Sequence, residues 1–361
     1  MADRLFVCTR KGLFEIRRNG GGCWAVTDAH FLGAPVTMVV ADPRDGSIYA
    51  ALDHGHFGVK LHRSDDGGKS WPEIAAPSYA GLGSDEDDAP SLSYICALEI
   101  GGPDQEGLMW AGTIPGGLFR SEDRGGSWQI VQSLWDHPIR KQWFAGGFGG
   151  GPSVHSVSLD PRNSDAIAIG VSCGGVWETR DGGANWTIGG RGLRSEYVPP
   201  GEAQNPATQD VHRLVRCRAE PDAFWIQHHN GIFRADDGIA DWRELAPPNS
   251  RFGFAVAVHP DHARTAWFVP AIKDQFRYPA EGRVVVAKTT DGGETLEIIT
   301  EGLPQEHAYD LVYRHGLDVD ETGEQLAFGS TTGGLWFSDN GGESWSQSEA
   351  RLPPIYAVRM V

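Results

Sequence analysis

Three stretches of the chain read RSDDGGKSW (63–71), RSEDRGGSW (120–128) and TRDGGANW (179–186), and they share one pattern, S/T-x-D-x-G-x-x-W. It falls on Ser64, Asp66, Gly68 and Trp71, on Ser121, Asp123, Gly125 and Trp128, and on Thr179, Asp181, Gly183 and Trp186. The pattern describes a hairpin turn: glycine stands where φ must be positive, and a short hydroxyl and a carboxylate bond the turn's own backbone amides. The tryptophan is then placed to fill the space between neighbouring sheets. Because the oxygens are used locally, the acidic residues of the pattern are read as structural, not as calcium ligands or catalysts.

Weaker copies fill the rest of the chain. Thr289, Asp291 and Gly293 are followed by Leu296 in place of tryptophan, and Ser338, Asn340, Gly342 and Trp345 carry Asn in place of Asp. Two decayed copies, ADDGIADW and RNGGGCW, end at Trp242 and Trp24. The seven terminal positions are 47 to 58 residues apart, the size of one four-stranded propeller blade with variable loops. Two strand signals precede most copies, as in HSVSLDPRNSDAIAIGVS (155–172), where alternating apolar residues run to Asp160-Pro161 and a second strand covers Ile167 to Val171. The first copy lacks an opening strand, and IYAVRM (355–360) supplies one. The reading is an all-β, seven-bladed β-propeller, a single domain over 1–361, its ring closed by the C-terminal strand pairing into the first blade, which leaves no exposed sheet edge.

Composition agrees: 48 glycines, 22 prolines and 13 tryptophans stand against four methionines in 361 residues, a profile of short strands and tight turns. The 48 acidic residues outweigh 31 basic ones, for a net charge of −17, and no Lys/Arg-rich run offers a nucleic acid or an anionic membrane its electrostatic footprint. No apolar run is long enough to span a bilayer, and MADRLFVCTRKGLF lacks a signal peptide's apolar core; a cytoplasmic protein is expected. The five cysteines form neither a CxxC pair nor a zinc-type spacing and read as buried thiols.

The repeats just quoted, with segments such as QDVHRLV, QHHNGIFRADD and FGSTTGGLWFSDNGGESW, make the chain resemble the BNR-repeat, or Asp-box, proteins, often labelled sialidase-like or glycosyl-hydrolase-like, and more distantly the repeats of sortilin-type receptor domains. The resemblance runs the full length and implies the propeller fold; for activity it implies either an enzyme or a binding protein. True sialidases have six blades and an F/Y-R-I-P motif, whereas no RIP follows Arg10 here, so no sialidase catalytic residue is carried over.

In a propeller the start of each first strand and the turn after each second strand lie on one face. Counting back five residues from each blade's Asp-Pro position puts Thr37, His155, Phe254 and His315 at the rim, with Cys96, His212 and Tyr356 by weaker alignment, while the second-strand turns add His54, His56, His228 and His229. Seven of 13 histidines are then expected on one face. Neutral imidazoles converging from different blades suit a divalent transition metal with open positions for water or substrate, which makes His155, His212, His315, His54, His228 and His229 candidate ligands. Asp210 and Asp53 are further ligands or groups that orient one. Against this stands the bland alternative of separate histidines, each bonded to a neighbouring carbonyl.

Long connections at 133–155, 189–212 and 301–316 are the second signal, since loops of that length are usually functional. They supply Arg140, Arg194 and Arg314 for an anionic group, Trp143 and Tyr197 as stacking platforms, and Glu202, Asp210 and Asp310 as candidate catalytic carboxylates. Glycosidase chemistry needs two carboxyl groups roughly 5 to 10 Å apart. The run GGFGGG (146–151) lacks a phosphate loop's Lys-Ser/Thr and is read as a lid or as close packing under a ligand. No G-x-S-x-G supports a serine hydrolase. The expectation is a hydrolase-type enzyme acting on a small polar or carbohydrate-like molecule at a His-rich face, with metal assistance. The alternative is a non-catalytic propeller that binds a glycan or a protein.

Overall fold

The computed structural model describes residues 2–19, 22–82, 89–146 and 150–361; 147–149, in the middle of the glycine-rich run read as a lid or as close packing under a ligand, lie outside the described residues. Each repeat folds as one four-stranded antiparallel sheet, and seven such sheets make a seven-bladed β-propeller. The fourth blade shows the order: Ser153–Asp160, Asn163–Ser172, Gly175–Thr179 and Thr187–Gly189 pair in sequence. Its second strand begins four residues earlier than the apolar run at Ile167 suggests, because Asp160 pairs directly with Asn163 across a tight turn. Ile355–Met360 pairs antiparallel with Arg4–Thr9, with Leu5 opposite Met360 and Val7 opposite Val358, so the C-terminus supplies the opening strand of the first blade as expected.

The turn chemistry is the same in five copies. Ser64 Oγ accepts from the Gly68 N–H at 2.8 Å and donates to Asp66 Oδ1, while Asp66 accepts from the Lys69 and Ser70 amides and from the Ser70 hydroxyl. Gly68 has φ +99° and Gly183 φ +93°, where a Cβ would be strained. The turns at 121–127, 179–185, 289–295 and 338–344 repeat the hydroxyl-to-glycine bond. In the decayed copy that ends at Trp242, Ala235 stands at the hydroxyl position, while Trp242 Nε1 still bonds Ile239 O as Trp71 Nε1 bonds Gly68 O. These bonds hold the Asp66, Asp123 and Asp291 carboxyls below the usual carboxylate range, and Asp181, bonded by Asn185 and Thr179, sits at about 2.

The chain groups into two compact units: 1–36, 191–204 and 212–361 hold four blades, and 37–190 with 205–211 hold three. Within the three-blade unit Trp128 Nε1 reaches back to Ala75 O of the preceding blade, and Trp186 packs among Trp110, Val131 and Leu134 of its predecessor. Within the four-blade unit Trp345 does the same with Trp267 and Ile299. Trp110, Trp177, Trp225, Trp267 and Trp336 are under 2% exposed, and each such ring is worth about 3 kcal/mol of burial. All five cysteines are free, and only Cys23 is exposed. No helix among the described residues is long and apolar enough to cross a membrane.

Candidate functional site

The four-blade unit gathers rings at the starts of its first strands. His212 enters from Val211–Arg216, Phe252 and Phe254 from the start of Gly253–Val258, Tyr313 to His315 from the approach to Leu317–Val319, and Tyr356 from the closing strand. His212 stacks on Phe254 with ring centres 4.3 Å apart and planes 16° off parallel. From there contacts continue in both directions, through His229 to Tyr197 (5.3 and 5.0 Å) and through Tyr313 to Tyr356 (6.2 and 6.3 Å). Phe252 closes the corner against His212, His229 and Phe254. The guanidinium carbons of Arg277 and Arg314 lie 5.4 and 5.3 Å from the Phe254 ring centre, within cation–π range.

Backbone position explains the gathering. The His315 carbonyl accepts from Val358 N–H at 2.8 Å, which ties the approach of the seventh blade to the closing strand that carries Tyr356. His212 Nδ1 bonds the Gly253 carbonyl at 2.6 Å. A carbonyl only accepts, so Nδ1 carries a proton. His212 and His229 bring ring nitrogens within 4.8 Å of each other.

The other candidate ligands have different surroundings. His155 is 1% exposed in the three-blade unit, with Nδ1 on Ser156 Oγ and Nε2 on Val211 O, so both ring nitrogens are bonded to protein. His228 is fully buried, its Nδ1 accepting from Asn230 N–H and its ring edge-on to Phe233. His315 Nε2 faces Arg213 Nη1 at 3.2 Å, and since a guanidinium only donates, that nitrogen is an acceptor. His54 is exposed in the three-blade unit, 5.5 Å from Phe57.

The carboxylates divide similarly. Asp210, in the three-blade unit, accepts from Ser172 Oγ at 2.6 Å and from Cys173 N. Asp310 accepts from the hydroxyls of Ser330 and Thr332. Glu202 is exposed on the short turn Pro200–Glu202. Arg194 is clamped by Glu244 through two 2.8 Å bonds and also meets Glu196, which raises its pKa and uses its fork internally. Trp143 is no open platform: it is 8% exposed and edge-on to Trp177. Tyr197, 38% exposed at the outer end of the ring contacts, keeps the form of one.

Arg277 was not anticipated. It sits in the connection between Ala266–Pro270 and Val286–Thr289, held by Asp274 in a finger closed by the Ile272 N–H to Tyr278 carbonyl bond. Its length, 271–285, is the signal that could have found it.

No family model matches the chain. A curated protein of Neosartorya fischeri, described as a "probable oligoxyloglucan-reducing end-specific xyloglucanase", is 25% identical over 235 residues, 63% of this chain and 27% of that protein. The chain thus spans about a quarter of that relative's length. Among solved structures, an ancestral GH74 enzyme superposes with a TM-score of 0.60 at 17% identity over 87% of this chain and 38% of the other. YCF48 bound to D1 peptide superposes with a TM-score of 0.53 at 14% identity over 88% and 82%. At these identities the structures share the fold, and the sequence similarity is to a protein described as a probable xyloglucanase.

Proposed function

We propose that the chain is a glycosyl-hydrolase-like propeller of the BNR, Asp-box kind that takes a carbohydrate-like ligand on the ring cluster of its four-blade unit. The observation that carries this reading is the run of contacts from Tyr197 through His229, His212 and Phe254 to Tyr313 and Tyr356, with Arg277 and Arg314 beside it. Sugar rings present C–H faces that pack on aromatic planes and hydroxyls that need donors and acceptors at the edge; imidazole, phenol and guanidinium groups supply those. The relative named for xyloglucan oligosaccharides supports the same substrate class.

Metal assistance belongs to this proposal in a narrower form than six histidines. His212, with Nδ1 turned to the Gly253 carbonyl, and His229 are the imidazole donors. A divalent metal bound by them would polarise a substrate oxygen. The protein's own groups bind and orient the sugar, and Glu202 is the candidate proton donor with an exposed carboxyl. A second reading, ligand binding without turnover, is favoured by the way hydroxyl groups already occupy the Asp310 carboxylate.

The test is calorimetric titration of the purified chain with xyloglucan oligosaccharides, before and after dialysis against a chelator, with reducing-end release followed in parallel. Saturable binding that Tyr197→Ala weakens about tenfold, in keeping with one lost aromatic anchor, supports the site. Binding without release selects the second reading, and binding unaffected by Tyr197→Ala and Phe254→Leu overturns the placement.

A further inference from the structure

Away from the ring cluster, the three-blade unit holds a cation that has no counter-charge among the described residues. Arg140 lies on the short turn Pro138–Gln142, and its guanidinium carbon is 3.5 Å from the centre of the Trp135 ring and 5.4 Å from that of Trp143. At 3.5 Å the guanidinium lies flat on the indole of Trp135, so its N–H bonds point outward in its own plane. Two of the positions they could use are poorly filled: Nη2 meets the carbonyls of Pro115 and Gly116 only at 3.5 and 3.4 Å. Buried Nε has no hydrogen-bond partner, and neither has buried Nε1 of Trp143.

Among the described residues no carboxylate lies within ion-pair distance of Arg140. Asp136, four residues earlier, is instead bonded by the Gln132 amide at 2.6 Å. Burial pulls the Arg140 pKa down, against the opposing pull of Tyr79 and Asp136. A half-buried guanidinium with an unpaired Nε–H, near an indole ring whose N–H is also unpaired, is an expensive arrangement to leave unfilled. Both orphans are donors, so the missing partner is an acceptor. A carboxylate matches the Nε/Nη2 edge with two parallel bonds.

We propose that Arg140, stacked on Trp135 with the Trp143 ring nearby, is a binding site for a carboxylate-bearing ligand in the three-blade unit. The ligand's two oxygens accept from Nε and Nη2, and Trp143 Nε1 supplies a third donor to one of them. The site shares no residue with the ring cluster and stands whatever that cluster binds.

Acetate is the simplest probe, with acetamide as its neutral isostere and sodium chloride at matched ionic strength as the charge control. The readout is two-dimensional nitrogen–proton NMR of the full chain, following the arginine Nε–H and indole Nε1–H signals, with Arg140→Lys and Trp143→Phe giving the assignments. Saturable shifts of both signals with acetate, absent with acetamide and chloride, are expected. Arg140→Lys, which keeps the charge and loses the fork, should weaken acetate binding about tenfold as read on the Trp143 signal; Trp143→Phe should weaken it less, as read on Arg140. Equal responses to acetate and chloride, shifts confined to other residues, or undiminished binding in a folded Arg140→Lys protein would each overturn the proposal.

Discussion

At 179–186 the bonds that Thr179 and Asp181 make all lie within a few residues: Thr179 Oγ1 to Asp181 and Gly183, Asp181 to Asn185. Around Phe254 the partners come from positions 197 to 356 and meet only because several blades bring their strand starts together. The turn is thus self-contained and repeatable, and five copies keep its hydroxyl-to-glycine bond through changes of Asp to Asn and Trp to Leu. The ring cluster occurs once and tolerates none of its members being read alone. Structural acidity in this chain is local, while the candidate binding surface is an assembly.

If that division is right, the largest effect belongs to the centre of the assembly. Phe254 is 3% exposed and touches His212, Phe252, Tyr313, Arg277 and Arg314. Phe254→Ala is expected to cost about 3–5 kcal/mol in denaturant unfolding and to abolish saccharide binding, whereas Phe254→Leu should cost about 1 kcal/mol and still impair binding by removing the face on which His212 stacks. A folded Phe254→Leu protein with full affinity would break the comparison, since the cluster would then be core and nothing more.

Next comes the turn. Thr179 is 1% exposed, and its hydroxyl is the acceptor for Gly183 N–H at 3.0 Å. Thr179→Ala leaves that buried amide unpaired and should cost about 1–3 kcal/mol, while ligand affinity per folded molecule stays unchanged. Thr179→Ser, which keeps the oxygen, should recover most of the loss. A change in affinity at full folding would mean that the turns reach the binding surface after all.

How legible each region was follows from the same physics. The turns and the blades were open to reading because their determinants lie within eight residues and recur with a period, and the closing strand IYAVRM followed from the absence of an opening strand before Trp24. The ring cluster was half visible: counting back from the Asp-Pro positions marks His212, Phe254, His315 and Tyr356, yet it could not say that Phe254 is the member on which His212 stacks. Nor could spacing separate His155, whose two nitrogens are bonded to Ser156 and Val211, from His212, which stacks on Phe254 within the ring cluster. Arg194 and Arg140 look alike in sequence, but Glu244 neutralises one and nothing described neutralises the other. Hydrogen-bond partners decided these assignments, and partners distant in the chain carry no local signature.

The smallest effect is the sharpest test of the turn's self-sufficiency. Asp291 accepts from the amide and hydroxyl of Thr295, while in the last blade Asn340 accepts from Ser344 N–H and donates its own Nδ2–H to the Ser344 hydroxyl at 2.9 Å. The chain thus already contains the neutral solution, reached by reversing one hydrogen bond, and Asp291→Asn should shift the melting temperature by no more than about 2 °C at neutral pH. The sign changes with acid. The turn carboxyls have folded pKa values below the unfolded value of about 3.9, with Asp181 at about 2. Their contribution is therefore complete above that unfolded value and lost as the pH falls through the folded ones. Asn does not titrate, so between about pH 4 and pH 2 the wild-type melting temperature should fall more steeply than that of Asp291→Asn. Parallel acid limbs for the two proteins would show that the charge on Asp291 contributes nothing and that the turn is held by its geometry and its Thr289 hydroxyl alone.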